Sequence, residues 1–243
     1  MNHRSLDDIW VYLSASPLLG LTVTLAAYGL GVRLYRRFGG NPLLNPVVTA
    51  VAMLIALLLV TGMSYDDYFE GGQFVHYLLG PATVALAVPL YQQLSRLRQL
   101  WIPVAIALVA GVVIAAGSSI GLAWLFDGSP EIQMSLAPKS ATAPVAMGIS
   151  EKIGGLPSLT AVLVVITGIV GAVLGTRLFD WIGIKDDTVK GVAMGVAAHG
   201  IGTARAFQVS PEMGAFSGLA MALSAFATSI IVPWLVSWLH GLG

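Results

Sequence analysis

Two stretches hold the residues whose types and spacing could do chemistry. Residues 135–150 read SLAPKSATAPVAMGIS, apolar enough to enter a membrane, yet with Lys139, Ser140 and Thr142 standing between Pro138 and Pro144. Each proline removes a backbone donor and resists an uninterrupted helix, so amides and carbonyls are released in the middle of the segment. A Lys at such a break is costly in hydrocarbon and marks a substrate or ion path. Residues 189–207 read VKGVAMGVAAHGIGTARAF, in which Gly191, Gly195, His199 and Thr203 recur every four positions and share one helical face. Gly202 and Arg205 flank that face, and Gly200-Ile201-Gly202 favours a local break. A packing seam of small residues explains the glycines without any ligand. An intramembrane Arg, in contrast, needs a partner, whereas a neutral His settles for one hydrogen bond.

Partners decide what these cations are for. The acidic candidates for pairing with Lys139 and Arg205 are Glu151 and Glu212, both at segment ends. Glu151 follows Lys139 by twelve positions, roughly 18 Å along an unbroken helix. A small carboxylate arriving from outside would satisfy both cations, and half-helix N-termini opened by the prolines would aim free amides the same way. We therefore expect Lys139 and Arg205 to hold a carboxylate while Ser140, Thr142, Thr203 and His199 read its hydroxyl or keto oxygen. His199 is also a candidate for a coupling proton, because imidazole titrates near neutrality. Snorkelling to the interface is the competing reading of Lys139. Thr83 and Asn45 either donate to the same substrate or cap their own helices. Ser217, Met221, Ser224 and Thr228 share one side of the last span, and Gly168, Gly171 and Gly175 make another close-contact face. Both read as helix packing.

The elements that must position these residues are membrane helices. Only 10% of the 243 residues are charged and 56% are hydrophobic, with a mean hydropathy of +0.83, against about a quarter charged in a soluble domain. At roughly 20 residues per span, we expect an all-α polytopic protein of about seven to eight membrane segments, forming one domain over residues 1–243. The 12 basic and 12 acidic residues cancel, which leaves no field for nucleic acid. With no Cys there is no disulfide, iron–sulfur or thiolate chemistry, and with four His, two of them His3 and His240 near the ends, no metal site or cofactor is expected. The N-terminal MNHRSLDDIW shows neither a secretory nor a transit pattern, so a bacterial origin suits it best. HExxH, GxSxG and phosphate-cradling loops are missing as well, so we expect no enzyme.

Charge sets the expected topology. Arg33, Arg36 and Arg37 close the first apolar run, residues 11–35, which puts that end in the cytoplasm and the N-terminus outside. Asn45-Pro46 opens a second span, residues 64–72 form an acidic loop, and Gly80, Pro81 and Pro89 break a third run. Arg96 and Arg98 mark the next cytoplasmic turn, from which residues 101–126 cross back. If residues 135–150 then crossed fully, Arg177, Lys185 and Lys190 would fall outside. A re-entrant segment puts them inside, and we take it so. Residues 79–83 faintly resemble residues 136–140, and paired Pro-interrupted segments point to a transporter site at a repeat interface.

NPLLNP at residues 41–46, LLGPATVALAVPLYQQ from Leu78, SLAPKSATAPVAMGIS from Ser135 and AAHGIGTARAF from Ala198 resemble the LrgB/CidB family over nearly the whole chain. The resemblance implies a bacterial inner-membrane protein that works with a smaller LrgA/CidA-like membrane protein, first described as antiholin-like and tied to murein hydrolase control and cell lysis. It also implies kinship with plastid glycolate and glycerate exporters and with bacterial pyruvate uptake. Functional weight carries over to the motif residues Lys139, Ser140, Thr142, His199, Thr203 and Arg205. Two expectations follow: a secondary transporter of small monocarboxylates (pyruvate, glycolate or glycerate), or an antiholin-like regulator of a holin-like pore that needs no substrate. The partners expected are the carboxylate, the bilayer, the LrgA/CidA-like protein and a second copy of the chain.

Overall fold

Prolines open the helices of this chain: Pro17, Pro46, Pro130, Pro157 and Pro211 each occupy a first helical position, where the missing N–H forfeits no bond. The computed structural model describes residues 17–41, 44–78, 81, 84–85 and 87–240. They divide into two units, residues 1–85 and 86–243. Among the described residues every regular element is a helix, as the composition requires.

The first unit holds α1 (Pro17–Arg37), α2 (Pro46–Thr61) and α3 (Tyr65–Tyr77), with α2 and α3 both packed on α1. A hydrogen bond of 2.7 Å between Thr24 Oγ1 and the Tyr68 hydroxyl ties α1 to α3. The second unit holds α4 (Ala87–Gln92), α5 (Leu94–Leu125), α6 (Pro130–Leu136), α7 (Ala143–Ile153), α8 (Pro157–Trp181), α9 (Asp187–Val209) and α10 (Pro211–His240). By length and apolarity α1, α5, α8 and α10 are able to cross a membrane, and α2 is a shorter apolar helix. The remaining apolar segments of the second unit are short or broken.

Contacts fix the directions in the second unit. Arg96 Nη2, near the start of α5, lies 2.9 Å from Asp186 Oδ2, and its Nη1 lies 2.5 Å from Glu212 Oε1 at the start of α10. The beginnings of α5 and α10 and the turn after α8 therefore share one end, which also carries Arg98, Lys185 and Lys190 and is called the basic end below. At the opposite end Ala116 and Ile120 of α5 pack with Met134, Ile149 and Val232.

Between α5 and α8 the chain dips in and comes back. Ser135 Oγ accepts a 2.8 Å bond from the Leu156 amide, and Thr160 Oγ1 donates within 2.8 Å of Ser150 Oγ and 3.0 Å of the Ser135 carbonyl. The end of α6, the far part of α7 and the first turn of α8 thus sit together at the opposite end, with residues 137–142 as the inward tip. The re-entrant reading of residues 135–150 holds, and Arg177, Lys185 and Lys190 lie at the same end as Arg96.

The helix α9 is a second hairpin, and here the expected continuous face fails. Gly191 faces the Met213 carbonyl and Phe216, and Gly195 faces the Ser217 carbonyl and Ala220, so the first half runs parallel to α10. Thr203 then bonds Ser217 at 2.9 Å and Phe207 packs on Gly214, so the second half runs antiparallel to it. The reversal occurs at His199, whose φ of 40° and ψ of −134° are not helical. Gly191 and Gly195 form the close-contact seam with α10, while Thr203 belongs to the returning half. Ser210 Oγ donates to Asp187 Oδ2 at 2.6 Å, closing the base at the basic end.

The two hairpins enter from opposite ends and both tips reach Val164 on α8. Ala141 and Ala146 pack against Val164, and the Val164 carbonyl accepts a 2.9 Å bond from His199 Nε2. The α6–α7 hairpin, residues 130–153, and the α9 hairpin, residues 187–209, thus point toward each other from opposite ends. The similarity expected at residues 79–83 falls largely on residues outside those described, Leu79, Gly80, Ala82 and Thr83.

Candidate functional site

The tip of the first hairpin is built by tight turns and a proline-led helix start. The Lys139 amide donates to the Leu136 carbonyl at 3.1 Å and the Ala141 amide to the Pro138 carbonyl at 2.9 Å. Thr142 is extended (φ −64°, ψ 145°) as the N-cap of α7, and its carbonyl accepts the first intrahelical bond, 2.8 Å from the Ala146 amide. Pro144 has no amide, and those of Ala143 and Val145 precede that first bond, so α7 presents open donors at its start.

Lys139 and Ser140 are half-buried and line a cavity of about 720 Å³ between α5, α8 and α9. Among the described residues nothing hydrogen-bonds to or ion-pairs with the Lys139 ammonium, and the hydroxyls of Ser140 and Thr142 are likewise unbonded. The cavity reaches Ala115 on α5 at this level. Ala115 lies ten residues from the end of α5, about 15 Å.

Thr167 of α8 lines the same cavity, and sequence reasoning passed over it. Its only signal was one of several hydroxyls in the apolar run of α8, and its side chain has no hydrogen-bond partner among the described residues.

The second tip is satisfied internally. His199 is buried and, with a carbonyl as its partner, must carry its proton on Nε2. Thr203 Oγ1 donates to the His199 carbonyl at 2.8 Å and lies 2.9 Å from Ser217 Oγ, and the α10 stripe of Ser217, Ser224 and Thr228 is buried in packing. Gly168 faces the His199 ring and Gly171 faces Ala198, which confirms the α8 glycines as a close-contact face.

Arg205, on the returning half of α9, donates from Nη1 to Gln208 Oε1 at 3.1 Å. It is not among the described residues lining the cavity of Lys139, so the structure does not assemble the expected two-cation clamp in one cavity. Asn45 caps α2 in the first unit, its Oδ1 accepting from the Val47 amide at 2.9 Å. Thr83 lies outside the described residues.

The cavity mouth, marked by Leu100, Asp186 and Thr188, sits at the basic end beneath an ion cluster. Arg96 joins Asp186 and Glu212, and Thr188 Oγ1 donates to Glu212 Oε1 at 2.8 Å. Desolvation alone raises the Asp186 carboxyl. The Val189 and Thr188 amides and the Arg96 guanidinium outweigh it and hold the group below its ordinary value.

A profile of the LrgB-like family matches residues 24–238, a range that takes in both hairpins. The chain belongs to the LrgB-like family. It is 36% identical to the uncharacterized protein YxaC of Bacillus subtilis over 219 residues, 90% of this chain and 94% of that one. It is 33% identical to the holin-like protein CidB of Staphylococcus epidermidis over 225 residues (93% and 97% of the two chains). The antiholin-like protein LrgB of Bacillus subtilis is 30% identical over 226 residues (93% and 98%). No solved structure matches.

Proposed function

We propose that this LrgB-family membrane protein is a secondary transporter of small monocarboxylates of the pyruvate, glycolate or glycerate class. Lys139 holds the carboxylate and Ser140, which lines the same cavity, donates to it, while Thr142 caps the helix α7 that follows. One observation carries the reading: a half-buried ammonium faces a largely apolar cavity with no bond or ion pair among the described residues, and such a group in a membrane protein calls for an anion. The opposed hairpins supply a second support, because discontinuous membrane helices commonly form the substrate sites of secondary transporters. Positive-inside reasoning puts the basic end in the cytoplasm of a bacterial inner membrane and the N-terminus outside. The working unit includes a small LrgA/CidA-like membrane protein, and the reading requires no chemical step on the substrate.

The names of the relatives favour a second reading. CidB is called holin-like and LrgB antiholin-like, which suits a regulator of a holin-like pore and of lysis that moves no substrate. Purified protein in vesicles, with and without the small partner, separates the two. The transporter reading expects saturable uptake of labelled pyruvate or glycolate that Lys139→Met lowers by about 10- to 100-fold. Folded protein that moves no acid, in cells whose lysis depends on the gene, establishes the regulator instead.

A further inference from the structure

The cavity is much larger than the acids named above. A three-carbon acid has about six heavy atoms and, on a scale of about 30 Å³ per water molecule, fills roughly 180 Å³, against about 720 Å³ available. Its polar groups are also segregated. Lys139, Ser140 and Thr167 lie at the deep end, Asp186 and Thr188 at the mouth. The wall between them is made by Val104, Ala107 and Gly111 of α5 and Val192 and Val196 of α9. From Ala115 to Leu100 this wall spans fifteen residues of α5, about 22 Å. Water along such a wall finds no hydrogen-bond partner, whereas a ligand with one anionic end and one apolar end matches it. Pockets that are mostly apolar with a few convergent polar groups bind ligands of that kind and fix their orientation through the polar end.

Resting on the carboxylate reading of the same site, we propose that the protein's preferred substrate is an amphipathic monocarboxylate with an aliphatic tail of several carbons. Its carboxylate sits on Lys139 and Ser140, its 2-oxygen on the Thr167 hydroxyl, and its tail lies along the α5–α9 wall toward the basic end. A water-soluble acid has access at the end lined by Asp186 and Thr188, where the Asp186 side chain is 48% exposed, and exposed Ile114 and Val170 in the same lining leave room for the tail at the side of the bundle.

The test is a chain-length series. Straight-chain 2-oxo acids of three to eight carbons are titrated calorimetrically against the full-length protein in a non-ionic detergent, and the same acids compete for uptake of labelled three-carbon acid into vesicles. Affinity is expected to rise about fourfold per methylene, the value for full burial of each CH₂. Ala107→Phe, at an exposed position on the groove wall, is expected to flatten the series by bringing the long acids down to the three-carbon level. Lys139→Met is expected to remove saturable binding of every member and so excludes simple partition into the micelle. A flat or falling series with pyruvate uptake intact overturns the proposal and leaves the transporter standing. Rising affinity without movement of any acid keeps the proposed ligand class and overturns transport. No saturable binding of any member to folded protein overturns both.

Discussion

The two hairpin tips answer the same physical problem in opposite ways. Each is a break inside the helical unit next to Val164, where an unmet polar group costs several kcal/mol once it is out of water. At the second tip, His199 reaches the Val164 carbonyl, and Thr203 bonds the His199 carbonyl and Ser217. At the first tip, Lys139, Ser140 and Thr142 keep their side chains unbonded among the described residues, and Lys139 and Ser140 face the cavity. One break is closed by the protein itself. The other keeps its side-chain donors unbonded among the described residues, the condition under which a break is able to bind a ligand.

Variants at the two tips should separate activity from stability. Lys139→Met is expected to lower the kcat/KM for carboxylate uptake into vesicles by about 10- to 100-fold, the size of a lost charge-assisted bond of about 1.5–3 kcal/mol. The melting temperature should hold or rise, because a half-buried charge is removed. A large loss of stability with uptake preserved would reverse the roles assigned to the tips. His199→Ala is expected to do the opposite. Stability falls by about 2–3 kcal/mol as the buried Val164 bond is lost and a void opens, read as a drop in melting temperature in mild detergent, and uptake per folded molecule changes less than for Lys139→Met.

The base of the open hairpin gives a smaller effect. Thr160→Val removes the buried hydroxyl that joins Ser135 and Ser150 and is expected to cost about 1–2 kcal/mol, with an increase in KM as the Lys139 tip loosens. An unchanged KM would show that the tip is held without this bridge. The smallest effect is pH-dependent. The folded Asp186 carboxyl titrates below its ordinary value, so its contribution is complete above the unfolded carboxylate pKa and is lost as pH falls through the folded one. Melting temperature should decline on acidification through the carboxylate range, and Asp186→Asn should weaken that decline. Salt should weaken it too, since the pair with Arg96 is largely exposed.

The site's chemistry was legible where local rules govern it. Pro138 and Pro144 announce a break, and Lys139 between them announces an unmet charge, because proline and a buried ammonium act through their own bonds and solvation. The second break could not be read as a reversal, since four-residue spacing from Gly191 to Thr203 looks the same whether or not the chain turns back at His199. Thr167 was missed for a similar reason: it is one of several hydroxyls in an apolar helix that also carries Ser158, Thr160 and Thr176, and only the tertiary structure puts it in the cavity. Arg205 was grouped with Lys139 on charge alone, and the fold puts it outside that cavity.

By itself the sequence determined that the chain is helical and membrane-embedded and which broken segment carries a Lys without a nearby acid. Those properties follow from composition, proline stereochemistry and the cost of charge in hydrocarbon, all of which act over a few residues. It read residues 64–72 as a loop where the structure has helix α3 (Tyr65–Tyr77), and it began at residue 101 the span that starts at Leu94. Only the tertiary structure decided that both broken segments return to the end they entered, that they oppose each other across Val164, and that one tip is sealed while the other opens on a cavity. Such outcomes depend on which distant carbonyl or hydroxyl comes within 3 Å of a side chain, and spacing along the chain does not encode that.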